Sequence, residues 1–387
     1  MKKINYAGAS IVALLIAGLW ITLMIDFVNL GMPWGVMVYE SEEWVQKNIP
    51  FREELFELNG LYNVVLGKTV IKNGNQIYVK LDNGQLVYTT DKVDMSSNIN
   101  KVTEFSEFCE SNDMRFMYVN LPSKPFMDEE LTELGYDSFA NANANELIDG
   151  LVQHDVNVLD IRESIKAHGI EFYSLYYKTD HHWNADAGLM TAQEIVSKLN
   201  KDYGYELEYN LLENENFERK VFENCWLGET GRVMTKTYAG LDDFILIKPL
   251  YDTSMCYDVD ESDKHLKGDF SVLLDENIYN NENNDIYKTS WHYSYLYVNY
   301  GQAVITNNYM KEKPKILLIK DSFALVVAPY LALTAENVTL WDMRYNEDDL
   351  KEYILNSDFD VVIVAYTQTS LKKEKMFKFI ENEDENN

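Results

Sequence analysis

The sequence predicts an α/β fold, a parallel sheet flanked by helices, with a large aromatic-rich insertion and an N-terminal transmembrane helix ahead of it. Three observations carry this. Strand-like apolar runs alternate with helix-spaced segments from about residue 97 to 200, and again from 316 to 365. Runs such as Ile316 to Ile319 and Val361 to Ala365 are apolar at every position, as in strands buried on both faces. Residues able to do chemistry collect just after these runs, at the carboxyl ends of the strands, where open α/β sheets bind ligands.

From the start, Met1-Lys2-Lys3 is a short positive segment, and the nineteen residues Ala7 to Ile25 run without a charge until Asp26. The length just spans a bilayer, the lysines place the N-terminus inside, and no small-x-small cleavage site follows. Residues 1–30 are therefore read as a retained signal anchor, with a cleaved signal peptide as the alternative, and the rest of the chain as extracytoplasmic. Residues 31–66 read as a juxtamembrane stalk and helix, with Pro50 ahead of apolar positions at helical spacing. Residues 67–387 form the expected main domain. Its first part, Val70 to Thr90, alternates in Gln-Ile-Tyr-Val-Lys and Gln-Leu-Val-Tyr around Asn73-Gly74 and Asn83-Gly84, which predicts β-hairpins forming a small flap.

A helix near 97–112, strand Arg115 to Asn120, helix 144–154, strand Val156 to Ile161 and strand Glu171 to Tyr177 follow. Asn184 suits the N-cap of a helix running to about Leu199. Between about 206 and 313 the pattern dissolves into an Asn- and Tyr-rich stretch, read as an insertion. Within it Trp291 to Tyr297 alternates as a strand with four aromatics on one face, for packing or for stacking sugar rings. Leu227-Gly228-Glu229-Thr230-Gly231-Arg232 is a two-glycine loop of no assigned role, without the lysine and spacing of a phosphate loop. The pattern resumes with strand Ile316 to Ile319, a helix after Ser322, strand Val338 to Trp341, helix 347–356 and strand Val361 to Ala365.

Composition bounds the function. With 46% hydrophobic and 13% aromatic residues, the chain outside the anchor can bury a large core. A net charge of −29 argues against nucleic acid and against bare anionic membrane as partners. It also disfavours strongly anionic polymers, although Lys124 and Arg344 could make a locally positive pocket. Cys109, Cys225 and Cys256 are too few for a disulfide framework; one bridge is possible, and spacing does not choose it.

The stretch Thr179-Asp180-His181-His182-Trp183-Asn184 sets acid, imidazole and indole immediately before a helix start. In an extended segment Asp180 and His182, at i and i+2, point the same way, so the acid would fix the imidazole tautomer, while His181 would project to the opposite face. A capped turn around a buried Trp183 is the structural alternative. The nucleophile expected for such a pair is Ser322 in Lys320-Asp321-Ser322-Phe323, where the alternative is an ordinary helix cap. The N-terminus of the helix at Ser322 and the side chain of Asn120 are the candidate oxyanion donors, and Lys124 and Arg344 candidate substrate-binding groups. Asp180, His181 and His182 would also suit a metal, but with six histidines and no second cluster none is expected, nor any other cofactor.

Asp180-His181-His182-Trp183 and Asp321-Ser322-Phe323 resemble the signatures of DHHW proteins, relatives of the alginate O-acetylation proteins in the SGNH hydrolase-like group. Pro50-Phe51-Arg52, Pro122-Ser123-Lys124 and Asp342-Met343-Arg344-Tyr345 extend the resemblance over roughly residues 40 to 370. Lys320 stands where such enzymes carry glycine, and the acid and histidine precede the serine, an order that triads tolerate. The resemblance implies an SGNH-like sheet and a membrane-anchored O-acyltransferase that acetylates a cell-surface polysaccharide through an acyl-serine. It also implies a membrane-bound O-acyltransferase partner to bring acetyl groups across the bilayer. The alternatives are a carbohydrate acetylesterase and a non-catalytic polysaccharide-binding or assembly protein.

Overall fold

The computed structural model describes residue 18 and residues 52–124, 128–281 and 283–380. The expected membrane span and stalk lie outside these, apart from residue 18 and the helix 52–65; among the described residues no helix is long and apolar enough to cross a membrane. The chain divides into two compact units, 1–68 with 235–238, and 69–234 with 239–387. In the first unit helix α1 (Arg52–Val65) presents the Glu57 carboxylate to the backbone N–H groups of Lys236 and Thr237 at 3.1 and 2.8 Å. Gly60 sits where a Cβ would meet the Thr235 hydroxyl, which explains glycine inside a helix despite its low propensity.

In the second unit β1 (Val70–Asn73), β2 (Gln76–Lys80) and β3 (Leu86–Tyr88) form an antiparallel three-stranded sheet, the flap expected from the Asn-Gly pairs. Gly74 and Gly84 take φ of 58° and 85° at its two turns, a backbone region open to glycine at no steric cost.

Among the described residues the main sheet has eight strands. β4 (Arg115–Leu121), β5 (Val158–Asp160), β11 (Lys315–Lys320), β12 (Asn337–Trp341) and β13 (Val361–Thr367) run parallel in the order β5-β4-β13-β11-β12. Their side chains alternate between two cores: Ile316 and Leu318 of β11 face one, Leu317 and Ile319 the other. Helix α2 (Ser96–Ser111) and helix α3 (Ala140–Gln153) pack into the second core and helix α4 (Ala185–Tyr203) into the first, so both faces are covered. Asn184 caps α4 through its side chain to Ala187 N, as its position predicts, and Gly204 ends the helix in the left-handed conformation.

Two expectations fail locally. The strand expected over Glu171 to Tyr177 is a 3-10 turn, Phe172–Leu175, because the Glu171 carboxylate accepts the N–H groups of Tyr173 and Ser174 and starts the turn. The strand expected over Trp291 to Tyr297 is likewise a 3-10 turn, Trp291–Ser294. Leu296 and Tyr297 then take φ of 57° and 69°, a conformation no strand accommodates. Trp291 and Tyr295 are buried, so packing accounts for them.

The 206–313 stretch, read as an insertion, contributes strands both to a hairpin of its own and to the main sheet. β6 (Phe217–Trp226) and β7 (Asp242–Pro249) pair as a separate hairpin, while β8 (Met255–Val259), β9 (Lys264–Gly268) and β10 (Gln302–Asn307) extend the main sheet antiparallel beyond β12. Cys109, Cys225 and Cys256 are free thiols.

Candidate active site

Three side chains form one hydrogen-bonded line. The Asp180 Oδ1 carboxylate oxygen lies 2.7 Å from His182 Nδ1, and His182 Nε2 lies 2.8 Å from Ser322 Oγ. The pairing expected from the sequence is present, yet its cause differs. Residues 178–182 bend rather than extend, and Asp180 Oδ1 also accepts the backbone N–H of His182 at 2.9 Å, closing an Asx-type turn that brings the i+2 ring onto its own carboxylate. The expected opposition of His181 therefore fails, since its ring lies 3.8 Å from that of His182, centre to centre.

Each member of the line is held from outside. Asp180 Oδ2 accepts the Glu229 N–H at 2.7 Å, the Thr179 hydroxyl accepts the Gly228 N–H at 2.8 Å, and the Thr179 carbonyl accepts the Gly231 N–H at 2.7 Å. This gives the two-glycine loop its role. A Cβ on Gly228 would lie 2.3 Å from that of Asp180, so only glycine lets the loop reach the carboxylate. The Asp242 carboxylate, buried under the same turn, accepts the N–H groups of Lys178 and Thr179.

Ser322 follows β11 in a short 3-10 turn, Ser322–Val326, and the helix expected after it is the single turn Ala328–Leu331. Asp321 builds that turn: Oδ1 accepts the Phe323 N–H, and Oδ2 accepts from Thr367 N, Thr367 Oγ1 and Ser370 Oγ. Trp183, the indole of the motif, donates from Nε1 to the Phe323 carbonyl at 2.9 Å. Gly188 on α4 faces the Val326 carbonyl, where a Cβ would be 2.2 Å away. The Asp-His-His-Trp segment and the serine turn are thus fastened by an indole bond and a glycine contact as well as by the relay.

Electrostatics favour a neutral base next to an ionised acid. Burial, with the neighbouring His181 imidazole, pushes His182 down to about 4 against the opposing pull of Asp180. Burial resists ionisation of Asp180, but the two imidazoles and the His182 N–H bonds outweigh it and hold the carboxyl well below its usual range. At neutral pH the Nε2 lone pair is therefore available to the Ser322 hydroxyl. Asp180, His181 and His182 each offer a ligand atom within 4.8 Å of the others, while both ring nitrogens of His182 are engaged in the hydrogen-bonded line.

Ser322 opens into a cleft of about 270 Å³, walled by Tyr88 and Thr90 of the flap region, by Arg344 after β12 and by Thr369 and Lys373 after β13. Arg344 lines this cleft. Its Nε and Nη2 form a two-pronged pair with Asp342 at 2.9 and 2.6 Å, and Lys320 donates to the same carboxylate and to Asn299. Lys320, the departure from glycine, is thus the buried counter-ion that fixes Asp342 and through it Arg344.

Asn120 and Lys124 do not line the cleft. The Asn120 amide donates to Asp160 Oδ1 at 2.8 Å. Lys124 Nζ donates to the carbonyls of Leu86 and Lys178, tying the flap to the segment before Asp180, and burial pushes its pKa down to about 7. Both are 1% exposed, which leaves neither a surface for substrate. Sequence reading missed His292, whose ring stacks on that of His182 at 3.7 Å; its only sequence signal was a histidine among aromatics in the insertion.

Residues 82–225 match the family described as the SGNH hydrolase-like domain of acetyltransferase AlgX. No curated protein sequence matches the chain. Among solved structures, Bacillus cereus PatB1 with a sulfonyl adduct superposes with a TM-score of 0.66 at 21% identity, covering 81% of this chain and 99% of that one. A DHHW family protein from Eubacterium siraeum DSM 15702 superposes with a TM-score of 0.61 at 16% identity, covering 80% of this chain and 96% of that one. The chain therefore carries, over 82–225, a domain similar to the SGNH hydrolase-like domain of acetyltransferase AlgX, on a fold shared with PatB1 and a DHHW family protein.

Proposed function

We propose that the chain is a membrane-anchored, extracytoplasmic O-acyltransferase that moves an acyl group, acetyl in the first instance, onto hydroxyls of a cell-surface polysaccharide. The observation that carries this reading is the continuous Asp180–His182–Ser322 line opening into a cleft. As the Ser322 oxygen bonds to the donor's acyl carbon, its proton passes to His182 Nε2, and Asp180 steadies the imidazolium that results. Collapse of the tetrahedral species breaks the acyl–oxygen bond, and the leaving group takes that proton. A sugar hydroxyl then repeats the sequence in reverse, giving its proton to His182 and taking the acyl group from Ser322.

The oxyanion needs donors on the cleft side. The Phe323 N–H is engaged by Asp321; we assign the Ser322 N–H, at the start of the 3-10 turn, and the Arg344 guanidinium as the donors. The predicted anchor and the extracytoplasmic placement rest on the sequence, and with one span the chain would receive acetyl groups from a membrane-bound O-acyltransferase partner. Transfer and hydrolysis share the acyl-serine and differ in whether sugar or water attacks it, so a carbohydrate acetylesterase is the neighbouring activity.

The solved relative that carries a sulfonyl adduct suggests the test. A sulfonyl fluoride should modify Ser322, identified by peptide mass, and should fail on Ser322→Ala. An activated acetyl ester with added oligosaccharide should give acetylated sugar in excess of free acetate. Turnover of the ester by a folded Ser322→Ala variant would defeat the acyl-serine route, and free acetate alone would turn the assignment to an esterase.

A further inference from the structure

We propose that His292 is a positioning residue of the active site, holding the base and the nucleophile together from the far side of the imidazole. The inference rests on the acyl-serine reading and extends it to a residue of the insertion. The His292 ring lies over that of His182 with centroids 3.7 Å apart and planes 12° from parallel. From the same ring, Nε2 lies 2.8 Å from the backbone carbonyl of Ser322 and donates to it, since a carbonyl only accepts. One side chain therefore touches the base by its face and the nucleophile's own peptide by its edge.

The residue type fits both contacts and little else. A phenyl ring would stack without bonding the carbonyl, and a glutamine amide would bond without stacking. His292 is 1% exposed, and its Nδ1 has no hydrogen-bond partner among the described residues. A buried ring nitrogen left without a partner is a cost that a purely packing position would avoid by carrying an apolar residue. Burial and the adjoining His182 hold His292 neutral well below its ordinary range, so it stays a flat, uncharged cover over the base. Together with the Trp183 bond to the next carbonyl, at Phe323, two ring N–H donors clamp successive peptides of the serine turn.

The consequence is geometric and dielectric. Releasing the Ser322 carbonyl lets the turn drift from the His182 lone pair, and removing the ring admits water to the face of His182. The experiment compares His292→Phe, His292→Gln and His292→Ala with wild type in the full chain, using an activated acetyl ester. It measures kcat, KM and the pH dependence of kcat/KM, with circular dichroism to certify folding. Displacement of reacting groups by about 1 Å costs on the order of 100-fold, so the Ala variant should lose about that in kcat with KM little changed. Phe and Gln, each keeping one of the two contacts, should lose less. The acid limb of the profile should move toward ordinary histidine in Ala and Gln and stay in place in Phe, a pattern that loss of packing alone would not give. Wild-type kcat in a folded Ala variant would overturn the proposal, as would equal losses in all three variants with unmoved pH profiles; should Ala fail to fold, the Phe and Gln pair decides by the same criteria. Ser322→Ala in the same assay keeps the two readings apart: its turnover would sink the acyl-serine route itself, whereas an inert Ser322→Ala beside an unaffected His292 series would sink only this proposal.

Discussion

Replacing Asp180 by asparagine changes one atom and removes one charge, and the contacts of the carboxylate set the cost. Asp180 accepts three N–H groups: the backbone and Nδ1 of His182 on Oδ1, and the backbone of Glu229 on Oδ2. An amide keeps one acceptor oxygen. Facing it to His182 orphans a single N–H, that of Glu229, while the reverse orphans His182 N and forces the imidazole into the tautomer whose Nε2 cannot accept the serine proton. In the first orientation the tautomer survives, but the imidazolium loses its counter-charge, worth about 4 kcal/mol at about 4 Å and an effective dielectric of about 20. At about 1.36 kcal/mol per decade that is roughly 10³ in kcat. The second orientation costs roughly 10⁴, the loss known when a triad acid becomes an amide and inverts the tautomer. The expected range is therefore about 10³ to 10⁴ in kcat, with folding stability lowered by about 1–3 kcal/mol for the orphaned donor. Burst kinetics on an activated acetyl ester, beside a thermal melt, measure both. A folded Asp180→Asn variant within tenfold of wild-type kcat would refute the reasoning.

Other outcomes rest on the same contacts. Only neutral His182 accepts the serine proton and its pKa lies near about 4, so kcat/KM should hold level from pH 7 to well below 6 and fall as pH drops through about 4; a midpoint between 6 and 7 would contradict this. The same depression links folding to pH: the unfolded histidine binds a proton near about 6.5 and the folded one does not, so stability is fully present above that value. It is lost as pH falls toward about 4, at up to about 1.4 kcal/mol per unit, as denaturant titrations at pH 7 and 5 would show. Gly228→Ala should cost about 1–3 kcal/mol by overpacking against Asp180 and slow turnover as well, since the carboxylate must shift; an unchanged melt would show that the loop yields freely. Trp183→Phe leaves the buried Phe323 carbonyl without its donor and should cost about 1–3 kcal/mol, read in the same melts. His181→Ala should keep far more activity than His182→Ala, because only His182 bonds Ser322; the opposite ranking in ester turnover would exchange their roles.

What the sequence made legible is local or periodic. The parallel strands β11 and β13 announced themselves because a strand buried on both faces carries a run apolar at every position, and the flap because Asn-Gly turns interrupt strict alternation. Asp180 and His182 could be paired because two residues of separation suit either an extended segment or an Asx turn; the pairing survived although the geometry assumed for it did not. Strands β8, β9 and β10 were missed because they are antiparallel and part-exposed, so their patterns are weak in Asn- and Tyr-rich surroundings. Asn120 and Lys124 misled for a common reason. Polar residues at strand ends are as often engaged by the scaffold as offered to ligand, and exposure, which decides between the two, is a property of the folded chain.

The distribution of the site along the sequence carries a further consequence. Asp180 and His182 lie within the AlgX-like span 82–225, Ser322 lies about 140 residues beyond His182, and the supports come from the stretch between: Glu229 on the acid, Asp242 under the turn, His292 over the base and under the serine carbonyl. A segment that reads as an insertion therefore contacts the Asp180–His182–Ser322 line or the turn that carries it at three points. A relay whose donors and acceptors are fixed by backbone bonds and buried rings needs little reorganisation when charge develops, which is the condition under which electrostatic stabilisation lowers a barrier most. The supports of such a site should then resemble Asp180, His182 and Ser322 in being intolerant of substitution, while exposed positions of the same stretch such as Val221 and Glu223 on β6 and Lys267 on β9 should accept change freely.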